Sequence, residues 1–216
     1  MNTQMTDSNN PIMSQRFFSQ DWFTRSIPCW DFLLKNLSRE GKPLRILEIG
    51  VFEARSTCWL LENHCTSEQS QITVIDTFSG GVEHDHLNLI NLRSLFEKNI
   101  RSVGSAAQIT ILQGYSCNEL SKLIAKGADE AAFDFISIDA SHQAPDVLID
   151  CVLALQLLRK GGVMALDDYL WSSEPIGAED PINSPKIAID AFTNIFRRKV
   201  RVIPNLPLYQ LYLQKI

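Results

Sequence analysis

The stretch that decides the fold is Phe133-Asp-Phe-Ile-Ser-Ile-Asp-Ala-Ser-His142, continued by Gly161-Gly-Val-Met-Ala-Leu-Asp-Asp168. Each part is an apolar run that ends in charged side chains. Strands that are buried on both faces of a parallel sheet have such continuous apolar runs. Ligands of open α/β sheets bind beyond the carboxyl ends of the strands. We therefore expect Asp139, His142, Asp167 and Asp168 to lie together at a functional edge of the sheet.

Apolar strand patterns and helical patterns alternate along the rest of the chain. We predict strands at Leu44–Gly50, Gln71–Asp76 and Gln108–Gln113 before the opening stretch, and at Lys199–Ile203 and Leu208–Leu213 after it. Helices are predicted at Ala54–Asn63, Leu87–Val103, Asn118–Lys126, Pro145–Arg159 and from Ser184-Pro185 to Arg198, with Gly161-Gly162 as the stop of the fourth. This alternation predicts a three-layer αβα Rossmann-like sandwich with a mainly parallel sheet.

Composition limits the class of protein. The 216 residues suit one domain, which we divide into an N-terminal tail and helical cap (1–43) and a main domain (44–216). A net charge of -5 disfavours nucleic acid as a partner. Five scattered cysteines favour reduced thiols in the cytoplasm, and we expect neither a membrane span nor a signal peptide.

The N-terminal region divides into two parts. We expect residues 1–14, which are polar, to be disordered. Phe17–Leu37 is rich in aromatic residues at helical spacing and is interrupted by Pro28. We predict a helical pair that covers a face of the sheet; a lid over the site is the second possibility, and the segment could also serve a homo-oligomer interface.

Two further strand ends carry polar signals. Glu48-Ile-Gly50 ends the first strand with one glycine, whereas a dinucleotide site needs three so that the backbone can approach the pyrophosphate. A nicotinamide-dependent oxidoreductase is therefore disfavoured. Asp76 ends the second strand, where a carboxylate can accept hydrogen bonds from ribose hydroxyls. This arrangement suits a ligand that carries an amino acid and a nucleoside without phosphate.

With these residues the sequence resembles the class I S-adenosylmethionine-dependent methyltransferases, near the macrocin and novobiocin branch of small-molecule O-methyltransferases. The resemblance rests on Leu47-Glu-Ile-Gly-Val-Phe-Glu-Ala-Arg-Ser56, Val74-Ile-Asp-Thr-Phe-Ser-Gly-Gly81, Ile138-Asp-Ala-Ser-His142 and Leu166-Asp-Asp-Tyr169. It implies a seven-stranded sheet whose last strand is antiparallel. Alanine stands at positions 54 and 140, where the family usually has glycine.

The resemblance also implies roles for individual residues. Glu48 and Gly50 would line the methionine end of the cofactor, Ser56 would belong to the same pocket, and Asp76 would hold the ribose. The segment Gly114-Tyr115-Ser116 would lie near the adenine. Asp139 would lie close to the methionine moiety or to a metal.

The acids of the opening stretch suit a metal. Asp139, Asp167 and Asp168 match the acids that bind Mg²⁺ in the antibiotic-sugar relatives, and Mg²⁺ prefers oxygen ligands. The alternative is that Asp167 caps a turn, Asp168 is solvated and Asp139 binds only the cofactor. His142 is the candidate general base, with Asp139 beside it as the second catalytic candidate. For the other histidines we expect His64 to be an exposed helix-end residue, and a loop with His84 and His86 to be solvated.

Two functions follow as hypotheses. The first is methyl transfer from S-adenosylmethionine to a hydroxyl of a small polar molecule, with or without Mg²⁺. The second is a non-catalytic cofactor-binding or assembly protein on the same scaffold, which the alanines at 54 and 140 favour. A nucleic-acid methyltransferase is disfavoured by the acidic balance and by the lack of an Asn/Asp-Pro-Pro-aromatic motif after the fourth strand.

Overall fold

The computed structural model describes residues 16–38, 41–81, 89–127 and 133–216. The predictions for residues 1–14 and for His84 and His86 lie outside the described residues. The strands are β1 (Arg45–Ile49), β2 (Gln71–Asp76), β3 (Gln108–Gln113), β4 (Phe133–Ile138), β5 (Leu158–Leu166), β6 (Val200–Val202) and β7 (Leu211–Lys215). The α-helices are α1 (Ile27–Leu37), α2 (Arg55–Asn63), α3 (Leu92–Val103), α4 (Ser116–Ala125), α5 (Ala144–Leu157) and α6 (Lys186–Ile195). Two 3₁₀ turns, Thr24–Ser26 and Pro181–Asn183, complete the described elements.

The seven strands form one sheet in the order β3-β2-β1-β4-β5-β7-β6. Pairing is parallel from β3 to β5, and β7 runs antiparallel to both β5 and β6. The predicted Rossmann-like sheet with an antiparallel last strand is confirmed. The strand order reverses between β1 and β4, and such a switch point opens a crevice for ligands.

Each face of the sheet has its own apolar core, because alternate side chains of a strand point to opposite faces. Ile46 and Phe135 pack with Trp30 of α1 on one face, with α2 and α3. Leu47 and Ile136 pack with α4, α5 and α6 on the other. The three-layer sandwich is therefore confirmed, and α1 is part of its core.

The glycine pair that was predicted to stop α5 has another role. Helix α5 ends at Leu157, and Gly161 and Gly162 lie inside β5 instead of stopping the helix. A Cβ on Gly162 would lie 3.0 Å from the carbonyl oxygen of Asp134, where the β4–β5 register shifts. Glycine in a strand allows this close approach of two backbones at a bulge. The prediction of a helix through Arg159 was wrong for this reason.

The start of α6 also differs from the prediction. Ser184 does not cap the helix, since its hydroxyl donates to the carbonyl of Pro181 at 3.4 Å. The preceding residues form the 3₁₀ turn at Pro181–Asn183, so that the α-helix begins at Lys186 and ends at Ile195.

The N-terminal region contains one 3₁₀ turn and one α-helix instead of a helical pair. Pro28 lies in the first turn of α1, where a missing N–H costs nothing. The ring of Trp30 packs edge-on to Phe135 with centroids 4.8 Å apart, which fixes α1 on the sheet.

His64 was predicted to be exposed, but its side chain is only 5% exposed and lies 3.2 Å from Asp31. None of the helices in the described ranges is long and apolar enough to cross a membrane.

Candidate active site

A cavity of about 840 Å³ opens at the carboxyl ends of β1 to β5. Its walls include almost all the predicted site residues: Gly50, Ser56, Asp76, Gly114, Tyr115, Ser116, Asp139, His142, Asp167 and Asp168. A second cavity of about 530 Å³ lies beside β5, β6 and β7 and contains none of them. The chemistry-bearing side chains therefore converge on the first cavity.

Gly50 brings the ends of β1 and β4 together. Its φ is +82°, and a Cβ at this position would lie 1.9 Å from the carbonyl oxygen of Asp139. Its N–H donates to Ile75 of β2 at 2.9 Å, and the N–H of Asp139 donates to Ile49 at 2.8 Å. Only glycine fits this crossing of three strand ends, because any side chain would overlap the backbone of β4.

Glu48 lies behind the cavity wall. It is fully buried in β1 between Val74 and Ser137 of the neighbouring strands, and Ser56 donates to its Oε1 at 2.6 Å. Burial raises the pKa of Glu48 to about 7, while the hydroxyls of Ser56 and Thr57 act in the opposite direction. Glu48 does not reach the cavity in this structure, whereas Ser56 does. Contact between Glu48 and the cofactor stays a prediction.

Asp76 organises the loop after β1. Its Oδ2 accepts hydrogen bonds from the N–H groups of Val51 (2.8 Å) and Phe52 (3.1 Å), and its Oδ1 accepts one from Phe78 (2.6 Å). These bonds hold Phe52 and Phe78 in left-handed conformations, with φ of 45° and 56°. A carboxylate can accept about four hydrogen bonds, so capacity for a ribose hydroxyl remains.

The segment after β3 lies on the same wall. The N–H of Gly114 donates to the carbonyl of Asp76 at 3.0 Å, which ties this segment to the end of β2. Tyr115 is 71% exposed and Ser116 begins α4. The predicted adenine-proximal residues therefore neighbour the predicted ribose-binding acid.

The acids of the opening stretch meet around His142. Its Nε2 lies 2.9 Å from Oδ2 of Asp168 and 3.9 Å from Oδ1 of Asp139. One donor atom from each of these three residues lies within 4.8 Å of the others. The Asp168 side chain is 16% exposed, so the alternative in which it is solvated does not hold.

Asp167 has a different environment from Asp168. Its Oδ1 accepts from the N–H of Asp168 at 2.8 Å, and its Oδ2 accepts from the amide of Gln210 at 2.9 Å. Desolvation raises its pKa well above the ordinary value, and the neighbouring carboxylates of Asp139 and Asp168 add to this effect. Desolvation also raises the pKa of Asp139, although His142 opposes the shift.

The sequence did not reveal the side chains that support this cluster. Buried Gln210 accepts from the indole of Trp30 at 2.9 Å while it donates to Asp167, so it links α1 to the site. The ring of Trp171 lies 4.3 Å from the ring of His142, and the guanidinium of Arg25 lies 3.6 Å from Asp168. No local sequence pattern distinguishes these residues.

Residues 16–23 form a strap over the loop after β1. The N–H and hydroxyl of Ser19 donate to the Glu53 carboxylate at 2.5 and 2.7 Å. Buried Asn99 accepts from the N–H of Phe17 and donates to the carbonyls of Phe17 and Glu53. Trp22 packs on Phe52 with ring centroids 5.1 Å apart. Gln20, Trp22 and Phe23 of the strap line the cavity. A lid role for this segment stays a prediction.

Known proteins share this sequence pattern. A family profile described as a methyltransferase domain matches residues 47–169, from β1 to the cluster after β5. The chain belongs to this methyltransferase family.

Individual relatives match only a part of the chain. Residues of the chain are 32% identical over 81 positions to a flavonoid 3',5'-methyltransferase of Vitis vinifera, covering 38% of this chain and 34% of that protein. The chain thus spans about a third of that relative.

Solved structures share the fold. An O-methyltransferase from Bacillus cereus in complex with SAH has a TM-score of 0.60 at 20% identity, covering 87% of this chain and 81% of that one. The MycE methyltransferase of the mycinamycin biosynthetic pathway, in complex with Mg, SAH and mycinamycin VI, has a TM-score of 0.57 at 16% identity, covering 92% of this chain and 50% of that one. At these identities the likeness concerns the fold alone.

Proposed function

We propose that this methyltransferase-family chain transfers a methyl group from S-adenosylmethionine to a hydroxyl of a small polar molecule. The observation that carries the proposal is one cavity of about 840 Å³ that joins the Gly50 crossing and Asp76 to the cluster of Asp139, His142 and Asp168. Fold neighbours solved with SAH support the cofactor.

The residues at β1, β2 and β3 would hold the cofactor. Gly50 leaves room for close approach of the backbone, Ser56 offers a hydroxyl on the wall, and Asp76 has remaining acceptor capacity for a ribose. S-adenosylmethionine supplies an electrophilic methyl on a sulfonium. Direct displacement needs alignment of the acceptor oxygen with that methyl more than covalent help from the protein.

His142 would take the acceptor's proton. The imidazole would take the proton of the acceptor hydroxyl as its oxygen bonds to the methyl group that S-adenosylmethionine would supply, and the electron pair of the methyl–sulfur bond would stay on sulfur. The Asp168 carboxylate, 2.9 Å from Nε2, would stabilise the imidazolium that results. Asp139 would act from the other side, at 3.9 Å.

The same residues fit a divalent cation. Asp139 and Asp168 offer the oxygen ligands that Mg²⁺ prefers, with water as the remaining ligands, and Asp167 would support them from its bond to Gln210. Such an ion would lower the pKa of an acceptor hydroxyl. MycE is a fold neighbour solved with Mg.

Calorimetry with S-adenosylhomocysteine, with Mg²⁺ and with EDTA, tests both parts. We expect binding of the cofactor product, and lower turnover in EDTA across a panel of hydroxyl acceptors. Lack of any affinity would refute the proposed function. Unchanged binding and turnover in EDTA would refute only the metal. An Asp168→Asn variant should keep its affinity for S-adenosylhomocysteine and lose most of its turnover.

A second function, non-catalytic cofactor binding, is favoured by one observation. Ala54 has a φ of 70° directly before α2, a conformation that costs an alanine about 1–2 kcal/mol. The family's usual glycine would avoid this strain in a loop that lines the cavity. Intact affinity without turnover for any acceptor would support this function over the first.

The proposed setting is the cytoplasm, with a small molecule and not a nucleic acid as acceptor. All five cysteines are free, which suits a reducing compartment. The net charge of -5 gives no general attraction for a phosphate backbone.

A further inference from the structure

Asp150 is a buried carboxyl group that the proposed chemistry does not use. It lies on α5, is 1% exposed and forms part of the cavity wall. Its Oδ1 makes no hydrogen bond to any of the described residues. Buried polar groups normally have partners, so an unpaired carboxyl oxygen at a cavity is a candidate for ligand recognition.

The environment of Asp150 is the segment after β3. The Ser116 hydroxyl at the start of α4 interacts with Asp150, which opposes the pKa increase to about 6 caused by burial. Tyr115 and Ile149 both line the cavity here, and they are 71% and 45% exposed. Apolar side chains beside a buried acceptor form a site for a flat ring with a polar edge.

The segment after β3 lies one strand beyond the predicted ribose site. Asp76 ends β2, and β3 is its outer neighbour in the sheet, about 4.8 Å away. A base attached to a ribose at Asp76 would therefore extend towards Gly114 and Tyr115, which precede α4. Asp150 lies behind this segment, because α4 and α5 pack side by side.

We propose that Asp150 recognises adenine by accepting a hydrogen bond from its exocyclic amine, with Tyr115 and Ile149 covering the ring. This inference rests on the proposed function. It makes Asp150 a specificity-determining residue. Hypoxanthine carries a carbonyl oxygen where adenine carries the amine, so the carboxylate would face a second acceptor and disfavour that base.

Binding of two analogues tests the proposal: S-adenosylhomocysteine and S-inosylhomocysteine, each titrated calorimetrically into the full chain. The wild type should prefer the adenosyl compound by about tenfold to a hundredfold, the range for a hydrogen bond to a charged group. Asp150→Ala should lose most of this preference. Asp150→Asn should narrow it, because an amide can present either an acceptor or a donor. Asp31→Asn, which removes a carboxylate from the surface of α1, should keep the wild-type preference.

The outcomes separate the inference from the function on which it rests. If the wild type binds neither analogue, both are overturned. If the wild type binds both equally, or if the Asp150 variants keep the full preference, the role of Asp150 is overturned while cofactor binding stands. Thermal melts establish folding, and the isosteric Asp150→Asn keeps the test decisive if the alanine variant does not fold.

Discussion

Glu48→Gln should remove a pH dependence of stability that is built into β1. The carboxyl is fully buried, and burial raises its pKa from 4.5 to about 7. Because the folded-state pKa is the higher one, Glu48 favours the folded state at low pH. This contribution is lost as the pH rises from about 4.5 through about 7. The difference between the two pKa values corresponds to about 3 kcal/mol.

Glutamine should fit the site of Glu48. Its amide oxygen can still accept from Ser56, and its NH₂ group can donate to the Thr57 hydroxyl, which lacks a well-aligned hydrogen bond to the described residues. The variant should therefore equal the wild type near pH 4.5. At pH 8 it should be more stable, by up to about 3 kcal/mol.

The assay is urea unfolding at half-unit steps from pH 4.5 to 8, in EDTA so that metal binding does not contribute. Asp150 also has a raised pKa, about 6, and adds a slope of the same sign, so the difference between wild type and variant isolates Glu48. Exposed Glu68 provides a matched control, because the free energy of unfolding of Glu68→Gln should vary with pH as that of the wild type does. If the free energy of unfolding of Glu48→Gln also varies with pH as in the wild type, the buried-carboxyl argument is refuted.

Three further predictions concern the loops around the cavity. Gly50→Ala should destabilise the protein several times more in urea unfolding than Gly104→Ala. Both glycines have positive φ, but a Cβ at Gly104 meets nothing within 4 Å, so its cost should be only the strain of about 1–2 kcal/mol; equal losses would contradict the overlap. Glu53→Gln should speed tryptic cleavage within the strap, because an NH₂ group replaces an acceptor of the Ser19 hydrogen bonds; an unchanged cleavage rate would argue against that clasp. Iodoacetamide should label Cys117 first, since the other four cysteines are buried, and S-adenosylhomocysteine should slow the labelling as measured by mass spectrometry; labelling unaffected by the ligand would place the ligand elsewhere.

The sequence predicted the sheet because its strands have strong local signals. Each parallel strand is a short apolar run next to a turn, and a run buried on both faces has little tolerance for polar residues. Element ends were less predictable. Gly161 and Gly162 have the composition of a helix stop, yet they serve a close contact between β4 and β5. That contact is tertiary, so no local rule contains it.

The candidate site, like the fold, has features that the sequence predicts and features that only the tertiary structure decides. The sequence by itself determined which candidate groups lie at the strand ends. Gly50, Asp76, Asp139 and Asp168 follow strands whose carboxyl ends meet at one edge of the sheet, and all four line the cavity. Only the tertiary structure decided how these groups interact, since hydrogen bonds and close contacts join residues that are far apart in sequence. It directs Asp167 to Gln210 and brings Asp150 to the cavity wall. Spacing along the chain carries no information about such pairs, because they form only when separate elements pack.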